Sequence, residues 1–208
     1  MSSLSKIWPT KTERELVFHS FLLLFAANII LVSIAIFLYN GNFDGLKYPY
    51  SYAGDYRTVD GSLNTFSMYV YSLDMAISGL IMLFLAAHAL LAKRAATKFL
   101  LYLMAGFGFL IASISPDDIR HSSHVLGSAL AIASLWIIST YSVFEIRTQV
   151  QPIKFASLQA IIQIPIFAYA GTYFLNIDPL SYILQKFALL GLCISLLYSV
   201  YLSSHSKS

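Results

Sequence analysis

The chain alternates between long apolar stretches and short polar segments. Six stretches carry almost no charge, and each is close to or above the roughly 18–20 residues that a helix needs to cross a bilayer. They cover about residues 16–39, 66–92, 99–115, 116–144, 155–176 and 179–202, with one long polar segment at residues 40–65. Membrane β-barrels use alternating strands of about ten residues, which this pattern does not show. The pattern predicts an all-α fold, a polytopic membrane bundle of six transmembrane helices.

The composition agrees with a membrane protein. Of 208 residues, 58% are hydrophobic and 11% are charged, against about 25% charged in soluble domains. This excludes an ordinary water-soluble domain and a nucleic-acid binder built on basic patches. The single cysteine, Cys193, excludes a disulfide framework and a thiolate metal site. We expect one membrane domain over residues 1–208 whose partners are membrane lipids, with a homo-oligomer or a membrane-protein partner left open.

The basic residues predict the orientation of the bundle. If the N-terminus is inside, nine of the thirteen Lys and Arg residues lie on the cytoplasmic side: Lys6, Lys11, Arg14, Lys93, Arg94, Lys98, Arg147, Lys154 and Lys207. Four lie toward the outer side, and seven of the ten acids lie there too. The positive-inside rule therefore places both termini in the cytoplasm and residues 40–65 outside. We expect the protein in a plasma (inner) membrane.

Asp74 is the one charge that clearly falls within a span. A charge at the centre of a membrane helix costs a few kcal/mol, so it needs a partner or a purpose. Helical spacing places Ser67, Tyr71 and Ser78 on or near the same face. Two interpretations stay open: a ligand for a cation, a proton or a headgroup amine, or an acid that is protonated or paired for packing.

A second polar cluster, residues 115–124, opens the fourth span. Ser115, Pro116 and the two acids that follow are typical of a helix start, with a cap, a proline and carboxylates against the helix dipole. Four polar residues of this span follow the spacing i, i+4, i+7 and i+11, which places them on one helix face. They are Asp117, His121, His124 and Ser128. We expect this face to point into the bundle.

These residues suggest three kinds of chemistry. Asp117, His121 and His124, with Asp74 as a further ligand, are of the types that bind Zn²⁺. The same four residues are the catalytic candidates, because an Asp–His pair can act as general acid and base at neutral pH. A polar network or headgroup recognition is favoured over a metal site. The candidate ligand-binding residues are Asp74, Ser78, Asp118, Arg120, His121, His124 and Ser128.

Other polar or small residues in the spans are interpreted as structural. His19 and His88 lie at similar depth in neighbouring spans, where a bis-His haem is conceivable, but two interfacial histidines are favoured. Gln159 and Gln163 are spaced for an interhelical hydrogen bond. We expect the glycines of the G-F-G segment at 106–108 to be close-packing positions.

Two segments carry a resemblance to a known family. The loop contains Y-A-G-D-Y at 52–56, and the fourth span contains H-V-L-G-S-A-L-A at 124–131. The second segment resembles the H-x-x-G-A-x-x-A helix start of DRAM/FRAG/SFK-type six-helix membrane proteins and their uncharacterised prokaryotic relatives, with Ser128 in place of Ala. The resemblance covers about residues 16–203, and His124 and Gly127 carry over. It implies six spans, cytoplasmic termini, a sizeable first outer loop and a lipid-linked membrane role.

Three functions remain as hypotheses. The first is an integral membrane protein whose outer-leaflet polar pocket binds a lipid headgroup or small ligand. The alternative is a membrane-embedded lipid hydrolase or transferase, metal-dependent or acid/base, centred on Asp74, Asp117, His121 and His124. A looser likeness to ceramidase-type amidohydrolases points the same way, although a third outer histidine and a seventh span are missing. The third hypothesis is a small transporter with Asp74 as its coupling residue.

Overall fold

The structure, a computed structural model, describes residues 11–92 and 96–205. Its six α-helices are α1 (Lys11–Phe37), α2 (Thr65–Leu91), α3 (Ala96–Ser113), α4 (Asp117–Glu145), α5 (Pro152–Phe174) and α6 (Leu180–His205), with a short 3-10 helix at Tyr50–Gly54. All six α-helices are long and apolar enough to cross a membrane. The prediction of an all-α bundle with six candidate spans is confirmed. Lys6, Lys93, Arg94 and Lys207, which enter the orientation prediction, lie outside the described residues.

Most helix ends lie close to the predicted ones, and the largest difference is at the start of α1. This helix begins at Lys11 rather than near residue 16. Its first turn is polar, which a hydropathy pattern excludes from a span. The turn is nevertheless helical, and Lys11 and Glu15 form an i, i+4 ion pair of 3.8 Å.

Five of the helices form a closed ring. In order around the ring, α1 packs against α2, α2 against α3, α3 against α4, α4 against α6, and α6 against α1. We call the end that carries residues 38–64 the loop end, and the opposite end the basic end. At the basic end, Lys98 of α3 pairs with Glu145 of α4 at 2.8 Å. There Arg14 of α1 also donates to the backbone oxygen of Ser203 in α6 at 2.7 Å.

The α3 helix contacts its two neighbours through glycine. A Cβ on Gly106 would lie 3.1 Å from the Gly79 oxygen of α2, and a Cβ on Gly108 would lie 2.7 Å from the Gly127 oxygen of α4. Because lipid tails are as apolar as leucine, close backbone approach is what holds membrane helices together. The expectation that the glycines at 106 and 108 are packing positions is confirmed.

The α5 helix lies outside the ring, against α6 and α4. Gln163 connects it to α4, accepting from Trp136 Nε1 at 2.8 Å and donating to Thr140 Oγ1 at 3.0 Å. Its amide also donates to Gln159 Oε1 at 3.2 Å. The interhelical hydrogen bond predicted from this glutamine pair is therefore present.

We expect Gly127→Ala to destabilise the protein by about 1–3 kcal/mol, the usual cost of overpacking a well-packed contact. The new Cβ would meet two backbone groups, the Gly108 oxygen at 2.7 Å and the Ala112 nitrogen at 2.8 Å, and neither can rotate away. Thermal unfolding in detergent measures the change.

The matched control is Gly171→Ala in α5, where nothing lies within 4 Å of the added Cβ. This variant should be neutral or more stable by up to about 1 kcal/mol, because alanine favours helix over glycine. Equal effects of the two substitutions would show that the α3–α4 contact is not tight.

Candidate functional site at the loop end

Residues 38–64 fold over the loop end and form what we call the loop cap. A row of aromatic rings crosses it, with successive centroids 5.2, 5.9, 5.7 and 6.3 Å apart: Tyr39, Phe43, Tyr48, Tyr52 and Tyr182. The last of these belongs to α6. Aromatic pairs at these separations are stabilising beyond the area they bury. The tyrosine-rich segment thus forms an ordered cover on the helix ends.

The cap is attached to α6 by Lys186. Its ammonium donates to the Tyr48 oxygen at 2.8 Å and to the Tyr182 oxygen at 3.1 Å. It also lies 5.1 Å from the ring centroid of Tyr50, within the range of a cation–π interaction. A lysine in a span is thereby paired with backbone oxygens and an aromatic face.

The cap is attached to α2 by buried polar side chains. The Asn64 amide donates to the Ala53 oxygen at 3.3 Å and to the Asp55 oxygen at 3.0 Å. The Ser67 hydroxyl lies 2.6 Å from the Ala53 oxygen and 2.7 Å from the Ala35 oxygen of α1. These groups satisfy backbone oxygens that would otherwise be buried without a donor.

The cap is attached to α4 by a pair of aspartates. Asp118 accepts from the backbone nitrogens of Tyr56 and Arg57, each at 2.9 Å. The Asp55 carboxylate lies beside the first turn of α4, close enough to Asp118 and Asp117 for their charges to act on it. A carboxylate at a helix N-terminus is stabilised by the free amides and the dipole. We call this arrangement of Asp118, the two amides it accepts from and Asp55 the aspartate clamp.

Asp55 titrates near neutrality within this clamp. Burial raises its pKa to about 7, and the negative charges of Asp118 and then Asp117 add to the rise. The backbone amides of Asp118 and Asp117 oppose the rise. The residue is only 7% exposed, and its Oδ1 has no hydrogen-bond partner among the described residues.

Asp74 lies deeper in α2 and is fully buried. The spacing argument is confirmed, because Ser67, Tyr71 and Ser78 are buried on the same side of the helix. Ser78 accepts a hydrogen bond from Asn28 of α1 at 2.7 Å. Neither oxygen of Asp74, however, has a hydrogen-bond partner among the described residues. Tyr71 lies one turn above, within electrostatic reach of Asp74 below and of Asp55 above.

The expectation that this helix face points into the bundle is wrong for His121, whose side chain is 70% exposed. The Asp117 side chain is only 17% exposed, and its Oδ1 lies 2.7 Å from His121 Nδ1. The helix is interrupted at Arg120, which has φ −130° and ψ 50°, so the regular face does not continue through the first turn. The pair forms between a largely buried carboxylate and an exposed imidazole.

His124, by contrast, is buried, and its Nδ1 donates to the Ser115 backbone oxygen at 2.8 Å. The prediction that Ser115 caps α4 is wrong: Pro116 is the capping residue, and no side chain bonds there. Proline has no side-chain acceptor, so it cannot cap the free amides of the first turn. Ser128 is half-buried and Arg120 exposed, with its Nη1 3.5 Å from the Ile114 oxygen.

The glycine contacts place Asp74 and His124 at one depth. Asp74 is five residues from Gly79, which faces Gly106, so at about 1.5 Å per residue it lies about 7.5 Å nearer the loop end than Gly106. His124 is three residues from Gly127, which faces Gly108, and Gly108 is itself two residues nearer the loop end than Gly106. His124 therefore lies at the same height. Among the described residues, however, α2 and α4 do not pack directly against each other, since α3 lies between them. The two side chains therefore share a level on opposite sides of α3.

No metal-binding group is formed within residues 11–92 and 96–205, because no three His, Cys, Asp or Glu side chains are grouped to hold an ion. Asp74, Asp117, His121 and His124 are all among these residues. Of the two histidines considered for haem, His19 is exposed and its Nδ1 donates to the Glu15 oxygen at 2.7 Å, and His88 is half-buried.

Sequence reasoning missed the contacts that hold the cap, although Asp118 is among the candidate ligand-binding residues. Asp55 and Asp118 lie over 60 positions apart, so no local pattern links them. It also missed Asn28, which bonds to Ser78 of α2 and was detectable as the one amide in the apolar run of α1, and Lys186, a lysine inside the last span. Both are polar residues that a membrane helix retains only with a partner.

Comparison with known proteins identifies no relative: no protein-family model, no curated protein and no solved structure matches this chain. The resemblance to DRAM/FRAG/SFK-type proteins stays a prediction.

We expect Asp118→Ala to release the loop cap from α4. Two backbone amides lose their acceptor, at a cost of about 1–3 kcal/mol, so Tyr56 and Arg57 should exchange amide hydrogens at least about tenfold faster. Asp44→Ala is the matched control, because Asp44 also accepts from two amides, those of Leu46 and Lys47, but within its own turn. Unchanged protection at Tyr56 and Arg57 in Asp118→Ala would contradict the clamp.

Stability should fall as the pH rises from about 4 to about 7, because of Asp55. Its pKa is about 7 in the folded protein and about 3.9 when unfolded. The folded state therefore binds the Asp55 proton more tightly than the unfolded state does. This contribution to the free energy of unfolding is fully present below about pH 4 and is lost as the pH rises through about 7. Thermal unfolding at pH 5 and pH 8 should differ by on the order of a few kcal/mol. In Asp55→Asn this difference should shrink; an identical pH profile would show that another group causes it.

Proposed function

We propose that the protein binds the amine of a lipid headgroup, or a small ligand with the same cationic group, in a polar pocket beneath the loop cap. The observation that carries this proposal is Asp74, an acid in a candidate span with no exposure and no hydrogen-bond partner among the described residues. Such a group costs several kcal/mol unless something pairs with it. A primary or quaternary amine supplies both the charge and, where it has N–H, the donors.

The surroundings of Asp74 favour a cation over an anion. Three further aspartates, Asp55, Asp117 and Asp118, lie above it in and beside the clamp. Their combined field attracts positive charge toward this end of the bundle. Tyr71 lies between these acids and Asp74, where an aromatic face adds to the binding of an amine.

The loop cap controls access to this pocket. It closes over α2, where the ring of Tyr71 lies against Gly54 and leaves no room for a side chain there. A ligand reaches Asp74 only when the cap moves, which breaks the hydrogen bonds of the cap to Asp118, Ser67 and Lys186. Local opening of this kind needs less free energy than global unfolding.

In the proposed orientation the loop end faces the outside and the pocket lies in the outer leaflet of a plasma membrane. The basic end carries most of the described lysines and arginines, which are Lys11, Arg14, Lys98, Arg147 and Lys154. Basic residues remain on the cytoplasmic side during insertion.

One observation favours the alternative function, a lipid hydrolase or transferase. Asp117 and His121 form a pair of 2.7 Å whose imidazole is exposed at the loop end, where a headgroup could reach it. The carboxylate holds one ring nitrogen and leaves the other free for proton transfer. Asp74 has no part in such a centre, because it is buried in α2.

The proposal predicts that Asp74→Asn loses its amine ligand without losing stability. Dioleoyl phosphatidylethanolamine bound to the purified protein, measured by native mass spectrometry, should fall at least about tenfold, since hydrogen bonds to a charged group contribute about 1.5–3 kcal/mol. The thermal midpoint should stay or rise, because a neutral amide replaces an unpaired buried acid.

The control is Asp44→Asn, a half-exposed acid of the cap far from Asp74 in sequence, which should retain the lipid. Competition by free ethanolamine would identify the small ligand rather than the lipid as the occupant. Unchanged phosphatidylethanolamine occupancy in Asp74→Asn would overturn the proposal, and release of a lipid fragment by the wild type but not by His121→Ala would support the hydrolase instead.

A further inference from the structure

A lipid-facing groove lies between α5 and α6 in the half of the bundle away from the loop cap. It has a volume of about 310 Å³ and is lined by two helix faces: Ile153, Lys154, Ser157 and Leu158 of α5, and Ile194 and Tyr198 of α6. None of these residues belongs to the pocket at the loop end. The groove is a separate feature of the surface.

The groove begins just below the point where the two helices touch. A Cβ on Gly191 would collide with the backbone oxygen of Ile161, so the helices are closest there. Because α5 and α6 run in opposite directions, Ile194 lies level with Leu158, and Tyr198 lies level with Lys154. The groove therefore extends about two turns, or about 10 Å, from the contact toward the basic end.

The walls of the groove are largely apolar, and its one cation lies toward the far end. Leu158 and Ile194 line the groove nearest the glycine contact, with Ser157 beside Leu158, and Lys154, Ile153 and Tyr198 line it about one turn farther on. Lys154 is exposed and has no ion-pair or hydrogen-bond partner among the described residues. The first turn of α5 is also at this end, and its dipole favours negative charge.

We propose that this groove is a binding site for an anionic phospholipid, with an acyl chain between α5 and α6 and the phosphate against Lys154. The membrane around the bundle supplies acyl chains to any apolar groove at this depth, so the headgroup end decides which lipid stays. An unpaired lysine at the first turn of α5 complements a phosphate that lacks an opposing amine. Basic pockets between membrane helices select anionic lipids in this way.

The experiment is a native mass spectrometry titration of the full chain with dioleoyl phosphatidylglycerol and dioleoyl phosphatidylcholine, which share acyl chains. The wild type should bind phosphatidylglycerol at least about fivefold more tightly, the effect of one basic residue near an anionic surface. Lys154→Gln should remove this preference. A preference that survives in Lys154→Gln overturns the proposal.

Two further variants separate the site from general surface charge. Arg147→Gln removes an exposed cation outside the groove and should keep the preference. Ser157→Trp fills the groove and should lower the occupancy of both lipids. Equal loss in Arg147→Gln and Lys154→Gln would show that net charge alone acts. Displacement of phosphatidylglycerol by equimolar inorganic phosphate would show a free-anion site, and either result contradicts a phospholipid groove.

Discussion

The close approach of α3 to α2 and α4 is the contact on which the rest of the structure depends. Gly106 faces Gly79 and Gly108 faces Gly127, so both neighbours are fixed against the same two turns of α3. This sets α2 and α4 at matching heights, because both run away from the loop end. One cap can then bond to the first turns of both helices. Without hydrophobic pressure between membrane helices, close backbone contact of this kind is a main determinant of the register.

The polar groups beneath the cap fall into two sets. Asn64, Ser67 and Ser78 are buried, and each has a hydrogen-bond partner on the cap or on α1. Asp74 lies among them on the same helix and has none among the described residues. Asn28 bonds to Ser78, one turn from Asp74 along α2, and not to Asp74 itself. This unpaired acid is the observation from which the cationic ligand is proposed.

The sequence predicts what depends on local periodicity. Hydropathy finds the six helices, and helical spacing finds the buried face of Asp74, because both follow from neighbours within a few turns. The aspartate clamp joins Asp55 to residues more than 60 positions away, and only the folded cap brings them together. His121 was misplaced because Arg120 leaves the helical region of φ and ψ, a change that no spacing rule records. The i, i+4 spacing of Asp117 and His121 predicts that the two can pair, but it does not predict that the His121 side chain is exposed.

The two ends of the bundle differ in charge, and this difference links the proposed orientation to the two proposed ligands. Acids gather at the loop end around α2 and α4, whereas Lys154, which has no partner among the described residues, lies at the basic end. In the proposed orientation, the positive-inside rule places the basic end at the cytoplasmic leaflet. Under the two proposals, Asp74 takes the amine of a headgroup in one leaflet and Lys154 takes a phosphate in the other. The charge distribution that the proposed orientation rests on is then the same one that sets the chemistry of both proposed sites.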